Sequence, residues 1–352
     1  GSGHSPDSEA FVGEGMLSAA VCGHVFASPS ASQVLSAIEK VQSPHGTLVI
    51  VKNYTGDCLH FGLAVEQAKA KGIKVDMLIV GDDVAIGKQK NNKVGRRGMA
   101  AVAIVTKICG ALAAQGASLE KIKQVGNEIV QNSVTLGVAL NHCHVPGTNT
   151  SSQQQQGLGP TEMELGIGIH NEPGLEKLNS MTIKPLVAHM LELLVNPKDE
   201  DHQYLSFNRN HEEKESVILL VNNYGGTSSL ELNVIVKETV DYICTKLPYL
   251  QLERVLSGSF VTSLNMLGFS LSLVRVVKKV DHIDDDNVDI LKLLDYPVQV
   301  PGWPSILATS FSPHVTEKKE IDETIIQDTL LIKDHHEGKN DTENNEFFLG
   351  FF

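Results

Sequence analysis

One short stretch of the chain combines a histidine with several glycines. Residues 164–174 read Glu-Leu-Gly-Ile-Gly-Ile-His-Asn-Glu-Pro-Gly, and the histidine is His170. Gly166 and Gly168 leave the backbone unshielded, so a small ligand could approach closely, and Pro173-Gly174 predicts a turn just past the imidazole. Such an imidazole could act as a nucleophile or a base. The competing interpretation is a structural histidine that is hydrogen-bonded within the fold.

The elements before this stretch alternate between strands and helices. Residues 47–51 and 75–80 are short β-branched runs that predict buried strands, while residues 60–71 and 96–115 have helical spacing. This alternation predicts a mainly parallel sheet covered by helices on both faces. In such sheets ligands bind beyond the carboxyl ends of the strands.

Polar clusters follow both predicted strands. The first is Lys-Asn-Tyr-Thr-Gly-Asp at 52–57, and the second is Gly-Asp-Asp at 81–83. Asp82 and Asp83 resemble a metal pair, but adjacent residues after a strand rarely point the same way, so we favour a turn and helix cap. Arg96-Arg97 would lie at the start of a helix, where cations oppose the dipole, which indicates contact with an anion or a partner domain.

A low-complexity segment at 146–161 predicts a boundary between two α/β units. The strand and helix pattern resumes after it, with strands expected at 217–221, 255–260 and 269–276 and helices at 228–245 and 288–294. Beyond residue 304 the sequence becomes acidic and polar. We therefore predict a first unit at 1–150, a second unit at 151–305 that carries His170, and a disordered linker or tail at 306–352.

Composition excludes several classes of protein. The net charge of −13 over 352 residues argues against nucleic acid as the main partner, because phosphate binding needs basic patches. The chain has no apolar run of 18 or more residues and no signal peptide, so we expect a cytoplasmic protein without a membrane partner. The five cysteines are scattered and form no CxxC pair, so we predict neither a disulfide framework nor a zinc site.

Seven motifs in one order resemble the substrate-binding K domain of dihydroxyacetone kinases, from residue 1 to about residue 304. The resemblance is closest to the eukaryotic ATP-dependent enzymes, also called triokinases, whose animal members also cyclise flavin adenine dinucleotide. The motifs are Gly-Ser-Gly-His (1–4), Phe-Val-Gly-Glu-Gly-Met-Leu (11–17), Val-Phe-Ala-Ser-Pro-Ser (25–30), Ile-Val-Lys-Asn-Tyr-Thr-Gly-Asp (50–57), Gly-Asp-Asp-Val-Ala (81–85), Gly-Arg-Arg-Gly (95–98) and the stretch at 165–174.

The resemblance implies a role for three residues in catalysis. The family histidine at the position of His170 adds through a ring nitrogen to the carbonyl carbon of dihydroxyacetone or glyceraldehyde, forming a hemiaminal. A neutral imidazole is the required nucleophile. The histidine and aspartate at the positions of His4 and Asp57 serve in proton transfer from the reacting hydroxyl. Asp57 could instead cap a helix that starts near residue 59.

The resemblance also implies substrate contacts from the start of the chain and from the end of the first strand. Lys52 and the backbone of Gly1, Ser2 and Gly3 would orient the oxygens of the substrate. The alternative for Lys52 is a solvated strand end.

The sequence departs from the family pattern at both ends. The family writes Gly-Gly-Gly-Ser-Gly-His-Glu-Pro after a preceding strand, whereas this chain starts inside the motif and has Ser5 in place of glutamate. The family's helical nucleotide domain holds magnesium-ATP on an aspartate-rich Gly-Asp-Gly-Asp motif, which is not found after Trp303, and no P-loop motif occurs. We expect magnesium-ATP in the complete enzyme, no ATP or metal site in this chain, and truncation at both ends.

These features predict the K domain of a glycerone kinase that forms a homodimer. Phosphate would come from a nucleotide-binding domain of the same family that is supplied elsewhere, so the fragment alone would be inactive. Two alternatives stay open. The chain could be a non-catalytic triose sensor or regulator, or a fragment of a bifunctional triokinase and flavin nucleotide cyclase.

Overall fold

The computed structural model describes residues 3–89, 94–145, 157–209, 213–277 and 288–303. Gly1 and Ser2, most of the predicted boundary loop (146–156) and the predicted tail (306–352) lie outside these ranges. Within the described ranges, none of the helices has the length and apolar character needed to cross a membrane.

The first half of the chain builds a small parallel sheet covered on both faces. Its two strands are β1 (Thr47–Lys52) and β2 (Val75–Val80). Helices α1 and α2 span Ala31–Val41 and Thr55–Ala70. Leu48 and Ile50 pack on one face with the hydrophobic cluster of α3 (Ala101–Ala114) and α4 (Leu119–Gln131), while Val49 packs on the other face with α1 and α2. The two strands and the covering helices confirm the first half of the α/β prediction.

A six-stranded sheet forms the larger part of the molecule. Its order is β5-β4-β3-β8-β6-β7, with the strands β3 (Ser133–Ala139), β4 (Glu162–Leu165), β5 (Glu176–Asn179), β6 (Glu215–Asn223), β7 (Leu250–Gly258) and β8 (Gly268–Arg275). Helices α5 (Ile183–Val195) and α6 (Ser229–Lys246) contribute apolar side chains to one core with this sheet. A short helix, α7 (Ile290–Leu294), packs against α3. The molecule thus belongs to the α/β class, as predicted.

The prediction of mainly parallel strands is wrong for this larger sheet. Only β6 and β7 run parallel, and the other four neighbouring pairs are antiparallel. Strand β3 and nearly all of β8 are buried, so their sequences read as continuous apolar or small-residue runs. Such runs indicate that a strand is buried on both faces. Helices packed on both faces of a sheet bury its strands in this way whether the neighbouring strands are parallel or antiparallel.

Helix α3 lies between the two sheets and contacts both β2 and β3. Every residue from Ala101 to Leu112 is buried, which explains why this helix is apolar on all sides except at Thr106 and Lys107. The predicted start at residue 96 is wrong, because the helix begins at Ala101. The residues directly before it form no regular element, and a Cβ added to Gly98 would lie 2.7 Å from both the Cβ of Lys52 and the carbonyl oxygen of Val80.

The predicted unit boundary near residue 150 falls after β3. That strand is hydrogen-bonded to β8 and β4, so the chain enters the six-stranded sheet before the predicted boundary. The assignment of 1–150 and 151–305 as separate folding units stays a prediction.

The outer edge of β1 borders a cavity. In the described part of the chain β1 pairs with β2 alone, and on its other side lies a cavity of about 470 Å³. The cavity is lined by β1, α1, α3 and the loop at 17–21. The backbone groups on this edge of β1 therefore have no strand partner within the described ranges.

Candidate active site

The loop that carries His170 begins directly after β4. Gly166 opens it in a left-handed conformation (φ 78°), and a Cβ added there would lie 2.7 Å from a neighbouring alanine Cβ. Asn171 is also left-handed (φ 62°), and its backbone amide donates to the carbonyl of Gly168. The turn expected at 173–174 therefore lies earlier, around Asn171.

Glu172 fixes the imidazole of His170. One carboxylate oxygen lies 2.9 Å from Nδ1, and the other accepts from the backbone amide of His170 at 2.9 Å. A carboxylate accepts hydrogen bonds, so we assign the ring proton to Nδ1, which leaves the lone pair on Nε2. Burial opposes ionisation of Glu172, but the hydrogen bonds from the ring and the backbone amide of His170 outweigh it and lower the pKa of the Glu172 carboxyl.

Aromatic rings surround the same imidazole. The ring centroids of His4 and Tyr54 each lie 4.5 Å from that of His170, and the Tyr54 ring stands perpendicular to it. Phe26 stacks on His4 and meets His170 edge-on at 5.6 Å. The side chain of His170 is 16% exposed, so the rings shield it from bulk water while leaving an approach for a small molecule.

His4 is anchored by the loop that follows β7. Its carbonyl accepts from the backbone amide of Leu264 at 2.9 Å and from the hydroxyl of Thr262 at 2.7 Å. Ser5, at the position of the family glutamate, accepts from the amide of Thr262 through its hydroxyl oxygen. These contacts hold the start of the described chain beside His170.

Three non-glycine residues in the described part of the chain adopt a left-handed backbone, namely Phe26, Asn171 and Leu264. Phe26 stacks on His4, Leu264 bonds the backbone of His4, and Asn171 follows His170. Strained conformations of this kind cost about 1–3 kcal/mol each and cluster at functional sites. Their positions identify the region between His4 and His170 as the candidate site.

Lys52 lies at the end of β1 and is paired inside the protein. Its Nζ is 2.9 Å from each carboxylate oxygen of Asp7, and the two side chains are 9% and 4% exposed. Ser5 donates to the same carboxylate. Burial opposes ionisation of Asp7, but the charge and hydrogen bonds of Lys52 and Ser5 outweigh it and lower the pKa of Asp7. The interpretation of Lys52 as a solvated strand end is therefore wrong.

Asp57 is the third residue of α2 and is 5% exposed. The helix begins at Thr55 and its N-cap residue is Tyr54, so Asp57 does not cap a helix that starts near residue 59. Gly3 is left-handed (φ 76°) next to His4, while Gly1 and Ser2 lie outside the described residues. The described structure thus brings the rings of His4 and His170 together. Lys52 is linked to the residue after His4 through Asp7, which both Lys52 and Ser5 bond. Asp57 lies in the first turn of α2, which Tyr54 precedes.

The prediction that Asp82 caps a helix is confirmed, although the helix is a distant one. Its carboxylate accepts from the backbone amides of Met99 and Ala101 at the start of α3, and from the hydroxyl of Thr135. Burial outweighs these hydrogen bonds and raises the pKa of Asp82. Asp83 instead accepts from Arg97, so this pair does not fit a magnesium site. Among the described residues, no group of three or more His, Cys, Asp or Glu could hold a metal ion.

Arg96 and Arg97 contact the interior of the protein. Arg96 donates to the carbonyl of Ser133 and lies 4.4 Å from the ring centroid of Tyr204. Arg97 pairs with Asp83, so the anion that this residue contacts is internal. Neither arginine lies in a helix, which corrects the dipole argument of the sequence analysis.

Sequence reasoning gave no role to Glu172, Tyr54 or Phe26. The role of Glu172 could have been predicted from the sequence, because a carboxylate two residues after a candidate nucleophilic histidine can orient the imidazole ring. The aromatic residues lie in motifs at 25–30 and 50–57, but their approach to His170 depends on long-range packing that no local spacing reveals.

Comparisons with known proteins extend this picture. A family model described as "Dak1 domain" matches residues 1–301. Dihydroxyacetone kinase 2 of Saccharomyces cerevisiae is 44% identical over 322 residues, which make up 91% of this chain and 52% of that protein. Triokinase/FMN cyclase of Homo sapiens is 38% identical over 314 residues, which make up 89% of this chain and 50% of that protein.

The solved structure of "Dihydroxyacetone kinase operon co-activator Dha-DhaQ" matches with a TM-score of 0.72 at 30% identity, covering 86% of each chain. The chain spans about half the length of the two curated relatives. The match at 1–301 includes both sheets and the whole His4–His170 site. The resemblance inferred from the seven motifs is thereby confirmed, and the chain belongs to the family of proteins that contain a Dak1 domain.

Proposed function

We propose that the chain is the triose-binding domain of a dihydroxyacetone kinase. The observation that carries the proposal is His170, whose Nδ1 is held by Glu172 inside a shell of aromatic rings. In the complete protein, the bound dihydroxyacetone or glyceraldehyde would be phosphorylated, with phosphate from magnesium-ATP held by a nucleotide-binding domain supplied elsewhere. We also propose that the protein acts in the cytoplasm as a homodimer.

The first step is capture of the triose carbonyl. The lone pair on Nε2 of His170 attacks the carbonyl carbon, a carbon–nitrogen bond forms, and the carbonyl π electrons move to oxygen, which takes up a proton. The proton on Nδ1 passes to the carboxylate of Glu172, and solvent carries a proton from Glu172 to the new oxygen, so the step needs no net proton and the imidazole of the adduct stays neutral. Glu172 bonds both the ring and the backbone amide of His170, so the imidazole is preorganised for this attack.

The second step is proton removal from the reacting hydroxyl of the captured triose. His4 and Asp57 are the groups that we assign to it, because an imidazole and a carboxylate can together accept an alcohol proton. Lys52, held by Asp7, is the cation that we assign to substrate oxygens. Positioning and charge neutralisation dominate phosphoryl transfer, so without the nucleotide domain the chain would bind triose without turnover.

Triose capture by the purified protein tests this function. We expect His170→Ala to lose the adduct, seen by NMR as loss of the tetrahedral signal of an isotope-labelled carbonyl carbon. His189→Ala is the matched control, since His189 pairs with the exposed Glu176 on the surface. Normal triose binding in the His170→Ala protein would rule out covalent capture.

A regulatory role is the second candidate, and the similarity to an operon co-activator favours it. Reconstitution with a nucleotide-binding domain of the family, assayed with triose and with flavin adenine dinucleotide, separates the possibilities. A kinase phosphorylates triose, a cyclase releases cyclic flavin phosphate, and a regulator binds triose without either reaction.

A further inference from the structure

Arg97 connects the end of the small sheet to the His170 loop. Its guanidinium donates from Nε to a carboxylate oxygen of Asp83 at 2.7 Å, and from Nη2 to the carbonyl of Gly166 at 2.6 Å. Nη1 donates to the carbonyl of Pro173 at 3.3 Å. The residue is 9% exposed. All three nitrogens of the planar guanidinium thus donate hydrogen bonds, each to a different acceptor. A lysine ammonium cannot reproduce this geometry.

The main chain of Arg97 is fixed as firmly as its side chain. Its carbonyl accepts from the backbone amides of both Asp82 and Asp83 at 3.1 Å. These aspartates follow β2 directly, and Asp82 also holds the start of α3. Arg97 therefore projects from a rigid base, so its contacts with the loop can determine where the loop lies.

The two loop carbonyls that Arg97 binds bracket the nucleophile. Gly166 and Pro173 stand on either side of His170. The guanidinium also approaches Glu172, because a Cβ on Gly168 would collide with a carboxylate oxygen of Glu172 and lie 2.9 Å from Nη1 of Arg97. Burial opposes the charge on Arg97, but the carboxylates of Asp83 and Glu172 and the nearby Tyr54 outweigh it and raise the pKa of Arg97.

We propose that Arg97, held by Asp83, is a positioning residue for His170. It ties both ends of the loop to the end of β2 and places its charge beside the Glu172 carboxylate that orients the imidazole. Asp83 accepts a hydrogen bond from Arg97, the charge of Arg97 lies near the Glu172 carboxylate, and Glu172 bonds His170. The effect on triose capture rests on the proposed function, whereas the effect on the imidazole does not.

The test compares Arg97→Lys and Asp83→Asn with the control Arg254→Lys. Arg254 forms a comparable fork with Asp295, away from the loop. The first readout is the imidazole NMR signal of His170 in the triose-free protein. We expect the Nδ1 proton to exchange faster with water in Arg97→Lys and Asp83→Asn, and to match the wild type in Arg254→Lys.

The second readout is the rate of adduct formation with dihydroxyacetone at saturating concentration. We expect Arg97→Lys to be slower by about 10- to 100-fold, since small displacements of a reacting group have effects of this size. Non-covalent triose affinity is compared between the His170→Ala protein and the His170→Ala, Arg97→Lys double variant. A positioning role requires the two affinities to differ by less than about threefold.

A double-mutant cycle with Glu172→Gln separates positioning from general destabilisation. If Arg97 acts through Glu172, Arg97→Lys should slow capture much less in the Glu172→Gln background than in the wild type. Wild-type imidazole exchange and wild-type capture rates in Arg97→Lys would overturn the proposal, as would fully additive effects in the cycle. If Arg97→Lys does not fold, Asp83→Asn decides by the same readouts. Absence of any adduct in the wild type would reject the proposed function, and the imidazole exchange would still decide the role of Arg97.

Discussion

Asp57 illustrates how position in a helix limits the role of one carboxylate. It lies in the first turn of α2, where a negative charge is favoured by the helix dipole, and it is nearly buried. Asparagine has a similar shape and keeps a hydrogen-bonding oxygen, but it is not a base. The substitution Asp57→Asn therefore separates a role in proton transfer from a role in stabilising the helix.

We expect Asp57→Asn to lower the rate of triose phosphorylation by about two to four orders of magnitude when a nucleotide domain is added. Triose binding should change far less. Glu120→Gln is the control, because Glu120 is an exposed carboxylate in the first turn of α4. Turnover of Asp57→Asn equal to that of Glu120→Gln would remove Asp57 from the catalytic set.

Single residues of the site were predictable to different degrees. His170 and His4 lie in Gly-rich motifs and do meet in space, 4.5 Å apart between ring centroids. The buried pair of Lys52 with Asp7 was not predictable, because the two residues are far apart in sequence and Asp7 has no motif. The expected contact of Arg97 with an anion is found in Asp83, but its position at a helix start was wrong, and its partners at 83, 166 and 173 could not be identified from the sequence.

At the level of elements, the start of α3 depends on Asp82. This helix has no side-chain cap from its own N-cap residue, Ala100. The carboxylate of Asp82 takes over that function from the end of β2, accepting from Met99 and Ala101. The bonds join the small sheet to the helix that lies between both sheets.

We expect Asp82→Ala to reduce the free energy of unfolding by about 2–4 kcal/mol, because it leaves buried amide donors without an acceptor. Urea denaturation measures the change. Asp289→Ala is the matched control: Asp289 also accepts from two amides at a helix start, but it is partly exposed. Its loss should cost about 1 kcal/mol. Equal effects of the two substitutions would contradict the role given to Asp82.

Elements with a clear periodicity of apolar residues were predictable, and features determined by tertiary contacts were not. Strand β2 and helix α6 match their predicted ranges to within a residue or two. Helices α4 and α5 went unassigned, although their apolar residues recur at helical spacing. The later start of α3 could not be predicted, because it is determined by a carboxylate from another segment. Strand direction in the large sheet was equally inaccessible, since antiparallel strands buried on both faces have the same composition as parallel ones.

At the level of the whole molecule, Lys107 links α3 to the end of the described chain. Its side chain is fully buried, and Nζ donates to the carbonyl of Leu293 at 3.0 Å. The ammonium lies 5.8 Å from the ring centroid of Tyr296 and 5.9 Å from that of Trp303. The segment after α7 packs against the start of the chain, where the backbone amide of Gly302 donates to the carbonyl of Ala10. A buried cation thus lies where three parts of the fold meet.

Burial lowers the pKa of Lys107 to about 8, against a partial opposing effect of Asp295, whereas the ordinary value is 10.5. Between these values the unfolded chain binds a proton that the folded protein has released. The free energy of unfolding contributed by Lys107 therefore rises as pH increases from about 8 to about 10.5, by on the order of 3 kcal/mol. Below pH 8 the buried charge is a constant cost.

We expect Lys107→Met to be more stable than the wild type at pH 7 by about 1–3 kcal/mol, because methionine fills similar space without a buried charge. The carbonyl of Leu293 keeps a partner in the amide of Tyr296. Urea denaturation at steps from pH 7 to pH 10 should show the difference between the two proteins shrinking above pH 8, while groups present in both cancel. Lys292→Met is the control, since the Lys292 side chain is 84% exposed. A difference that stays constant across this range would mean that Lys107 does not lose its proton in the folded protein.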